Sequence, residues 1–134
     1  MTALNQYLFD ENGFHGSRTH YYHAANSYLD RVIDDREGLP ITLSILYIEL
    51  ASRIHLAVEG VGLPGHFVVR HLPPNGEGQL IDVFDGGRQL SMDDVRRLTR
   101  ELGGAEFHPD FLAPVDPRQI ILRVLRNLQN IAQR

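Results

Sequence analysis

The sequence contains no cysteine, and all 13 of its basic residues are arginines. Without cysteine, the chain cannot form disulfide bonds, zinc–thiolate sites or iron–sulfur clusters, and it has no thiol nucleophile. The arginines are outnumbered by 17 acidic residues, which gives a net charge of −4. Because a nucleic-acid binder needs a basic field that this chain lacks, we expect no nucleic-acid partner.

Long hydrophobic runs are also missing. No apolar run approaches the roughly 20 residues that a bilayer-spanning helix needs, and residues 1–6 lack the charged and apolar regions of a signal peptide. We therefore expect no membrane partner and a cytoplasmic location. At 134 residues, 43% of them hydrophobic, the chain fits a single domain, 1–134, with its own core. Whether it is a fragment of a longer protein stays open.

Capping residues and the helical spacing of apolar side chains predict five helices. Ser27 and Ser91 are each followed three residues later by an aspartate, close to the capping-box pattern. The central helix is apolar nearly all round, which predicts that it is buried. The last helix has a wide apolar face, so we expect it to dock on the core or on something else. The predicted helices are Leu4–Phe9, 28–36, one from Pro40 to near His55, one opened by Ser91 and stopped by Gly103–Gly104, and one that starts at Asp116–Pro117.

Between the central helix and Ser91 the hydrophobic pattern changes to a period of two residues, which predicts three strands. The residues between the second and third strands are dense in proline, glycine and asparagine, so an antiparallel hairpin is the economical connection. Asp85–Gly87 is predicted to close the sheet. The predicted strands are 57–61, 65–71 and 79–84, and the fold class is α+β.

This hairpin places one histidine beside one aspartate. If it is symmetric about Pro74, His66 lies opposite Asp82 and Val68 lies opposite Leu80. Directly opposite residues point to the same face with Cβ atoms about 4.5–5.5 Å apart, which permits an imidazole–carboxylate hydrogen bond. A histidine held in this way is suited to act as a general base. The alternative is a structural pair that ties two strands together.

Three segments around this pair form an ordered set of motifs, namely Leu39-Pro40-Ile41-Thr42-Leu43-Ser44, Gly60-Val61-Gly62-Leu63-Pro64-Gly65-His66-Phe67 and Ile81-Asp82-Val83-Phe84-Asp85-Gly86-Gly87. The set resembles the SirB-type branch of transglutaminase-like proteins, and the resemblance covers most of the chain. It implies a papain-like transglutaminase core, in which a central buried helix packs on a small antiparallel sheet with flanking helices.

The resemblance also implies an active site. The family's histidine falls on His66 and its aspartate on Asp82, whereas the cysteine that opens the central helix in active members falls on Pro40. Proline offers no nucleophile, so thiol acyl transfer cannot occur. The helix N-terminus would still provide the electrostatic setting that activates a thiol and stabilises an oxyanion.

The residues predicted to line this vestigial cleft are Leu39, Thr42, Ser44, Leu63 and Gly65. Ser44 lies on the same helical face as Pro40 but one turn, about 5.4 Å, deeper. Its hydroxyl is therefore a candidate substitute nucleophile, whereas Thr42 lies on a different face. For both hydroxyls the alternative is a hydrogen bond to the preceding helical turn.

Besides a structural or scaffold element in which the His66–Asp82 pair only ties two strands, two functions stay open at this point. The first is a non-catalytic, regulatory domain that binds a protein or peptide. The second is a hydrolase or amidase in which His66 and Asp82 activate water or Ser44. In the resembling branch the domain is often joined to tetratricopeptide repeats. We expect no cofactor, and the partner and the oligomeric state are open.

Three histidines near the N-terminus form a candidate metal site, namely His15, His20 and His23. Their spacing matches no standard zinc signature, and no cysteine or carboxylate completes the set. The alternative is a polar surface loop, and we predict no physiological metal.

Overall fold

The computed structural model describes residues 2–16, 33 and 36–132. In this part of the chain helices flank a small antiparallel sheet, which confirms the α+β class, and no helix is long and apolar enough to cross a membrane. The predicted helix over 28–36 lies outside the described residues except for Ile33 and Arg36. The elements are α1 (Thr2–Asn5), continued by a π-helical segment (Gln6–Glu11), β1 (His15–Gly16), β2 (Glu37–Gly38), α2 (Pro40–Arg53), β3 (Val58–Leu63), β4 (His66–His71), β5 (Gln79–Asp82), β6 (Arg88–Leu90), α3 (Met92–Gly103), a 3-10 turn (Pro109–Leu112) and α4 (Pro117–Ala132).

Strands β3 to β6 form an antiparallel sheet in sequential order, so each strand pairs with the next along the chain. The prediction that Asp85–Gly87 closes the sheet was wrong, because it missed β6. These residues form a tight turn instead, in which the Gly87 N–H donates to the Asp82 carbonyl at 2.9 Å. The turn returns the chain into the sheet, where Asp82 pairs with Arg88.

Helix α2 is the buried centre of the fold, as its all-round apolar sequence predicts. Leu39 precedes it in an extended conformation, and the Leu39 N–H donates to the Thr42 hydroxyl at 3.0 Å. Pro40 fits the first turn because the N–H groups there have no partner inside the helix. The buried side chains of α2 are Pro40, Ile41, Thr42, Leu43, Ser44, Tyr47 and Ala51.

Neighbouring residues of the sheet point alternately into two hydrophobic cores. Val69 and Ile81 pack with α1 and α2, whereas Val68 and Leu80 pack with α3. This alternation follows from the two-residue period of a strand. Because both faces are covered, β4 buries four consecutive residues from His66 to Val69.

Helix α3 begins and ends where its capping residues predict. The Ser91 hydroxyl accepts from the Asp94 N–H at 3.1 Å, and Asp94 Oδ2 accepts from the Ser91 N–H at 3.0 Å. This is a complete capping box. The backbone hydrogen bond from Ser91, followed by the bond with its hydroxyl, holds the pKa of Asp94 below its usual value of 3.8. At the other end Gly104 adopts the left-handed conformation of a helix C-cap.

Asn5 links α1 to two other parts of the fold. Its Oδ1 accepts from the Tyr47 hydroxyl at 2.7 Å, and its Nδ2 donates to the Gly87 carbonyl at 3.4 Å. Tyr47 is fully buried, and burial raises the pKa of its phenol far above the usual value of 10.0.

Helix α4 packs against α2 and contacts the sheet through Arg123. The Arg123 guanidinium donates to the Leu63 carbonyl at 2.9 Å and lies 5.5 Å from the centroid of the Phe67 ring. Three large apolar side chains on another flank of the helix remain exposed. The predicted wide apolar face is therefore only partly covered within the described chain.

Replacing Gly65 by alanine should cost much more stability than replacing Gly86. Both glycines have positive φ, which costs an L-residue about 1–2 kcal/mol. A Cβ on Gly86 would meet nothing within 4 Å, whereas a Cβ on Gly65 would clash with the Leu102 carbonyl oxygen. We expect Gly86→Ala to lower the free energy of unfolding by about 1 kcal/mol and Gly65→Ala by about 3 kcal/mol. Urea denaturation measures both, and equal losses would contradict the close contact.

The raised pKa of Tyr47 predicts loss of stability at alkaline pH. The folded state binds the phenolic proton more tightly than the unfolded state. The contribution of Tyr47 to the free energy of unfolding is therefore complete below pH 10.0 and is lost as the pH rises above it. The variant Tyr47→Phe should lack this alkaline dependence. The tyrosinate absorbance that belongs to Tyr47 is the difference between the wild-type and variant titrations. We expect it to rise well above pH 10, together with loss of circular dichroism. Ionisation near pH 10 in an intact fold would contradict the burial argument.

Candidate functional site

His66 and Asp82 meet at one end of the sheet, where β4 begins and β5 ends. The Nε2 atom of His66 lies 2.9 Å from Oδ2 of Asp82, and both side chains are only 6% exposed. Each residue supplies the partner that the other needs, because an unpaired buried polar group costs about 1–3 kcal/mol. The contact that we expected from the hairpin is therefore present.

The pairing register differs from the predicted one by two residues. Arg70 lies opposite Leu80, whereas the symmetric hairpin predicted Val68 in that place. This prediction was wrong because the hairpin is centred one residue further along the chain, and moving the centre by one shifts the pairing by two. A shift of two keeps every side chain on its face. His66 and Asp82, predicted to be directly opposite, are diagonal neighbours and remain in contact.

The turn that follows β5 holds the Asp82 carboxylate in place. Its Oδ1 accepts from the Asp85 N–H at 3.3 Å, and the Gly87 N–H bonds to the main-chain carbonyl of the same residue. One carboxylate oxygen is thus directed to the turn and the other to His66. The aspartate orients the imidazole from a position that the backbone itself determines.

The carboxylate also selects the nitrogen of His66 that carries a proton. A carboxylate only accepts hydrogen bonds, so Nε2 donates, and in the neutral ring Nδ1 can accept from a second group. An imidazole with a fixed orientation and an accepting Nδ1 has what a general base requires. The pair can therefore perform proton transfer if a reacting group reaches Nδ1.

Phe84 contacts the His66 ring, and sequence reasoning did not identify it as a site residue. The two rings are perpendicular, at 89°, with centroids 6.1 Å apart. The Phe84 ring also packs on Gly16 of β1, where a Cβ would lie 2.5 Å from the ring. The sequence could have predicted this contact, because Phe84 follows Asp82 by two residues in the predicted strand and so shares its face.

The residues predicted to line a cleft lie mostly in the interior. Four of the five are at most 2% exposed, namely Leu39, Thr42, Ser44 and Leu63. Leu63 lies directly opposite His66 in the β3–β4 pairing. The fifth, Gly65, is exposed and lies in the turn beside the end of α3.

The two candidate hydroxyls behave differently. Thr42 donates to the Leu39 carbonyl at 3.2 Å, which is the expected bond to the preceding turn. Ser44 is fully buried, and within the described part of the chain its Oγ has no hydrogen-bond partner. Ser44 therefore lacks both the expected backbone bond and a bond to His66.

The candidate metal site is described at one residue only. His15 Nε2 lies 2.9 Å from Glu37 Oε2, and its Nδ1 lies 3.0 Å from the Gly13 carbonyl oxygen. His20 and His23 lie outside the described residues. Over the ranges that the structure covers, no three histidine, aspartate or glutamate side chains are grouped as metal ligands would be.

A buried helix followed by a histidine strand and an aspartate strand is the element order that the sequence motifs implied. A family model described as "Transglutaminase-like superfamily" matches residues 1–126. The chain therefore belongs to the transglutaminase-like superfamily.

Relatives from bacteria and animals contain the same region. The chain is 40% identical over 136 residues to a UPF0162 protein of Xylella fastidiosa, a match that covers 98% of this chain and 48% of that protein. It is 30% identical over 142 residues to human F-box only protein 21, which covers 100% of this chain and 22% of that protein. The chain thus spans about half the length of its bacterial relative and less of the human one. No solved structure matches the chain.

Removing the Asp82 carboxylate should destabilise the fold because it leaves His66 buried without its partner. We expect Asp82→Ala to lower the free energy of unfolding by about 2–3 kcal/mol and Asp82→Asn, which keeps an acceptor, by about 1 kcal/mol. The matched control is Asp93→Ala, whose side chain is 95% exposed and whose loss should cost under about 0.5 kcal/mol. Chemical denaturation at pH 7 measures all three. If Asp82→Ala were as mild as the control, the pair would contribute nothing to stability.

Proposed function

We propose that this chain is a non-catalytic transglutaminase-like domain that acts as a protein- or peptide-binding, regulatory module. The observation that carries the proposal is Pro40 at the first turn of α2, in a chain without any cysteine. His66 and Asp82, the residues on which the family's histidine and aspartate would fall, are hydrogen-bonded to each other, which supports a site that lacks its nucleophile. Because His66 and most of the predicted cleft residues are buried, the proposed binding would use the surface around this site.

The context of the domain in its relatives supports a role as a module. Because it makes up 48% of the Xylella protein and 22% of human F-box only protein 21, it occurs there together with other chain segments. We further propose that it is of the SirB type, joined to tetratricopeptide repeats in a longer cytoplasmic protein. In that arrangement the domain would present a peptide or partner to the neighbouring repeats.

Burial argues against the alternative of a hydrolase that uses water or Ser44. The His66 side chain is 6% exposed and Ser44 is fully buried with no hydrogen bond to the imidazole. A serine without a well-placed base is a poor nucleophile.

The wild-type protein should not hydrolyse acyl substrates. We expect p-nitrophenyl acetate and a glutamine-containing peptide to react at the same rate with wild type and His66→Ala, because no nucleophilic side chain of the described residues is hydrogen-bonded to the imidazole. Release of p-nitrophenol measures the first reaction and release of ammonia the second. The variant Ser44→Ala tests whether the candidate hydroxyl of Ser44 contributes to either rate. A wild-type rate that exceeds the His66→Ala rate by more than about tenfold, roughly 1.4 kcal/mol in barrier height, would overturn the proposal.

The variant Pro40→Cys tests whether the start of α2, together with His66, would activate a thiol in place of Pro40. It introduces the only thiol of the chain, at a helix N-terminus where thiols ionise more readily. Ser52→Cys, exposed near the opposite end of α2, is the matched control. Because position 40 is buried, the alkylation rate of each variant by iodoacetamide is normalised to its own maximum, which removes the difference in access. We expect the half-maximal rate to fall at a lower pH for the Pro40→Cys thiol than for the control thiol, and His66→Ala to abolish the difference. A thiol that does not react, or that reacts independently of His66, would count against a cleft at this position.

A further inference from the structure

Two Asn-Gly dipeptides occur in the chain, Asn12–Gly13 after the π-helical segment and Asn75–Gly76 in the loop between β4 and β5. In such a pair the main-chain nitrogen of the glycine can attack the side-chain carbonyl carbon of the asparagine, because glycine has no Cβ that would hinder the approach. Both dipeptides have the same covalent chemistry. A large difference in their reactivity must therefore come from the fold.

The loop over 72–78 leaves Asn75 unrestrained. Asn75 and Gly76 are both exposed. Within the described part of the chain, no hydrogen bond is made by the Asn75 side chain or by the peptide group that joins it to Gly76. Gly76 has a φ of 123°, and a Cβ built on it would have its nearest neighbour 3.8 Å away, on Pro73. The Asn75 side chain and the peptide group that follows it are therefore able to rotate towards each other.

Asn12, in contrast, is held at three atoms. Its main-chain N–H and its side-chain Nδ2 both donate to the Tyr7 carbonyl, at 3.1 and 2.6 Å, and its own carbonyl oxygen accepts from Arg36 Nη1 at 2.7 Å. Its ψ of −7° places the Gly13 nitrogen beside the main-chain nitrogen of Asn12 rather than beside its Cβ. Attack on the side chain therefore requires a rotation that breaks these hydrogen bonds.

We propose that Asn75 is a site of spontaneous deamidation, whereas Asn12 is protected by its hydrogen bonds. The Gly76 nitrogen attacks Cγ of Asn75, the Cγ–Nδ2 bond breaks, and Nδ2 leaves as ammonia with the proton of the Gly76 amide. Water then opens the resulting cyclic imide at one of its two carbonyl carbons. Opening at one carbon gives aspartate at position 75, and opening at the other gives isoaspartate.

The modification changes both the charge and the backbone of the loop. Each event adds one carboxylate to a chain of net charge −4, close to the exposed Glu77. Isoaspartate also adds one methylene group to the main chain, because the peptide link then runs through the side-chain carbon. The fold should survive, since His71 and Gln79 pair in the sheet outside the altered link. The inference goes beyond the proposed binding role and does not depend on it.

Asp85–Gly86, in the turn after β5, is a competing source of isoaspartate. An aspartate forms the same cyclic imide with loss of water, and reopening of the imide by water restores the original mass. Deamidation of an asparagine, in contrast, replaces an amide by an acid and raises the mass of the chain. Mass and isoaspartate content together therefore distinguish Asn75 from Asp85.

Peptide mapping of the full chain, after incubation of the folded protein in a mildly alkaline buffer, tests the proposal. The chain is digested with trypsin at weakly acidic pH, and fragment spectra locate each mass increase. Asn12 falls in the tryptic peptide 1–18 and Asn75 in the tryptic peptide 71–88. We expect deamidation at least about tenfold faster at Asn75 than at Asn12, because three hydrogen bonds must open before Asn12 can react.

Two controls separate the effect of the fold from that of the local sequence. In about 6 M guanidinium chloride, which unfolds the chain, the two asparagines should react within about threefold of each other. The variant Asn75→Gln should remove the mass increase from the peptide 71–88, because glutamine would have to form a larger ring. Methylation of this peptide by an isoaspartyl-specific methyltransferase, with S-adenosylmethionine as the methyl donor, should be lost in the same variant.

Four results would overturn the proposal. They are the absence of a mass increase in the peptide 71–88, equal rates at Asn12 and Asn75 in the folded chain, a rate difference that persists in guanidinium chloride, and methylation that is unchanged in Asn75→Gln. The second and third results would remove the role of the fold. The fourth would assign the isoaspartate to Asp85.

Discussion

Strand β4 is covered on both faces, because Val68 packs with α3 and Val69 packs with α2. A strand in that position has no freedom to slip by one residue, since every buried side chain would change face. The same constraint positions His66 at the start of the strand and keeps it on the face that Asp82 shares. Packing in the two cores, more than the hydrogen bond itself, therefore keeps His66 and Asp82 next to each other. Leu63, opposite His66, and Phe84, at the edge of its ring, complete the enclosure.

The sequence predicted the starts of α2 and α3 well, and it predicted the sheet less well. The capping box of Ser91 and Asp94 and the start of α2 at Pro40 depend on residues within one turn, so the sequence contains all that is needed. The centre of the hairpin depends on how 72–78 folds, and several turn formers in that segment allow more than one centre. The three-residue strand β6 is too short to show a period.

At the site, too, features that follow from the strand pattern were predictable, and features that depend on tertiary packing were not. The contact between His66 and Asp82 was predictable despite the register error, because side-chain faces repeat every two residues and a shift of two preserves them. The burial of the predicted cleft-lining residues was not predictable, since it depends on how α2 packs against the sheet. The contact of Phe84 with Gly16 joins segments 68 residues apart and left no local trace. Family membership, by contrast, followed from the order of the motifs and is shown by the match over 1–126.

The order of folding depends on how far apart along the chain the contacting groups lie. His66 and Asp82 are 16 residues apart, and the sheet around them is a sequential meander, so little chain entropy is lost when their loop closes. Asn5 must find Tyr47 across 42 residues and Gly87 across 82. Closure of these long loops is the slower step for a diffusing chain. We therefore expect the histidine–aspartate pair to form with the hairpins, before the N-terminal helix reaches Tyr47 and Gly87.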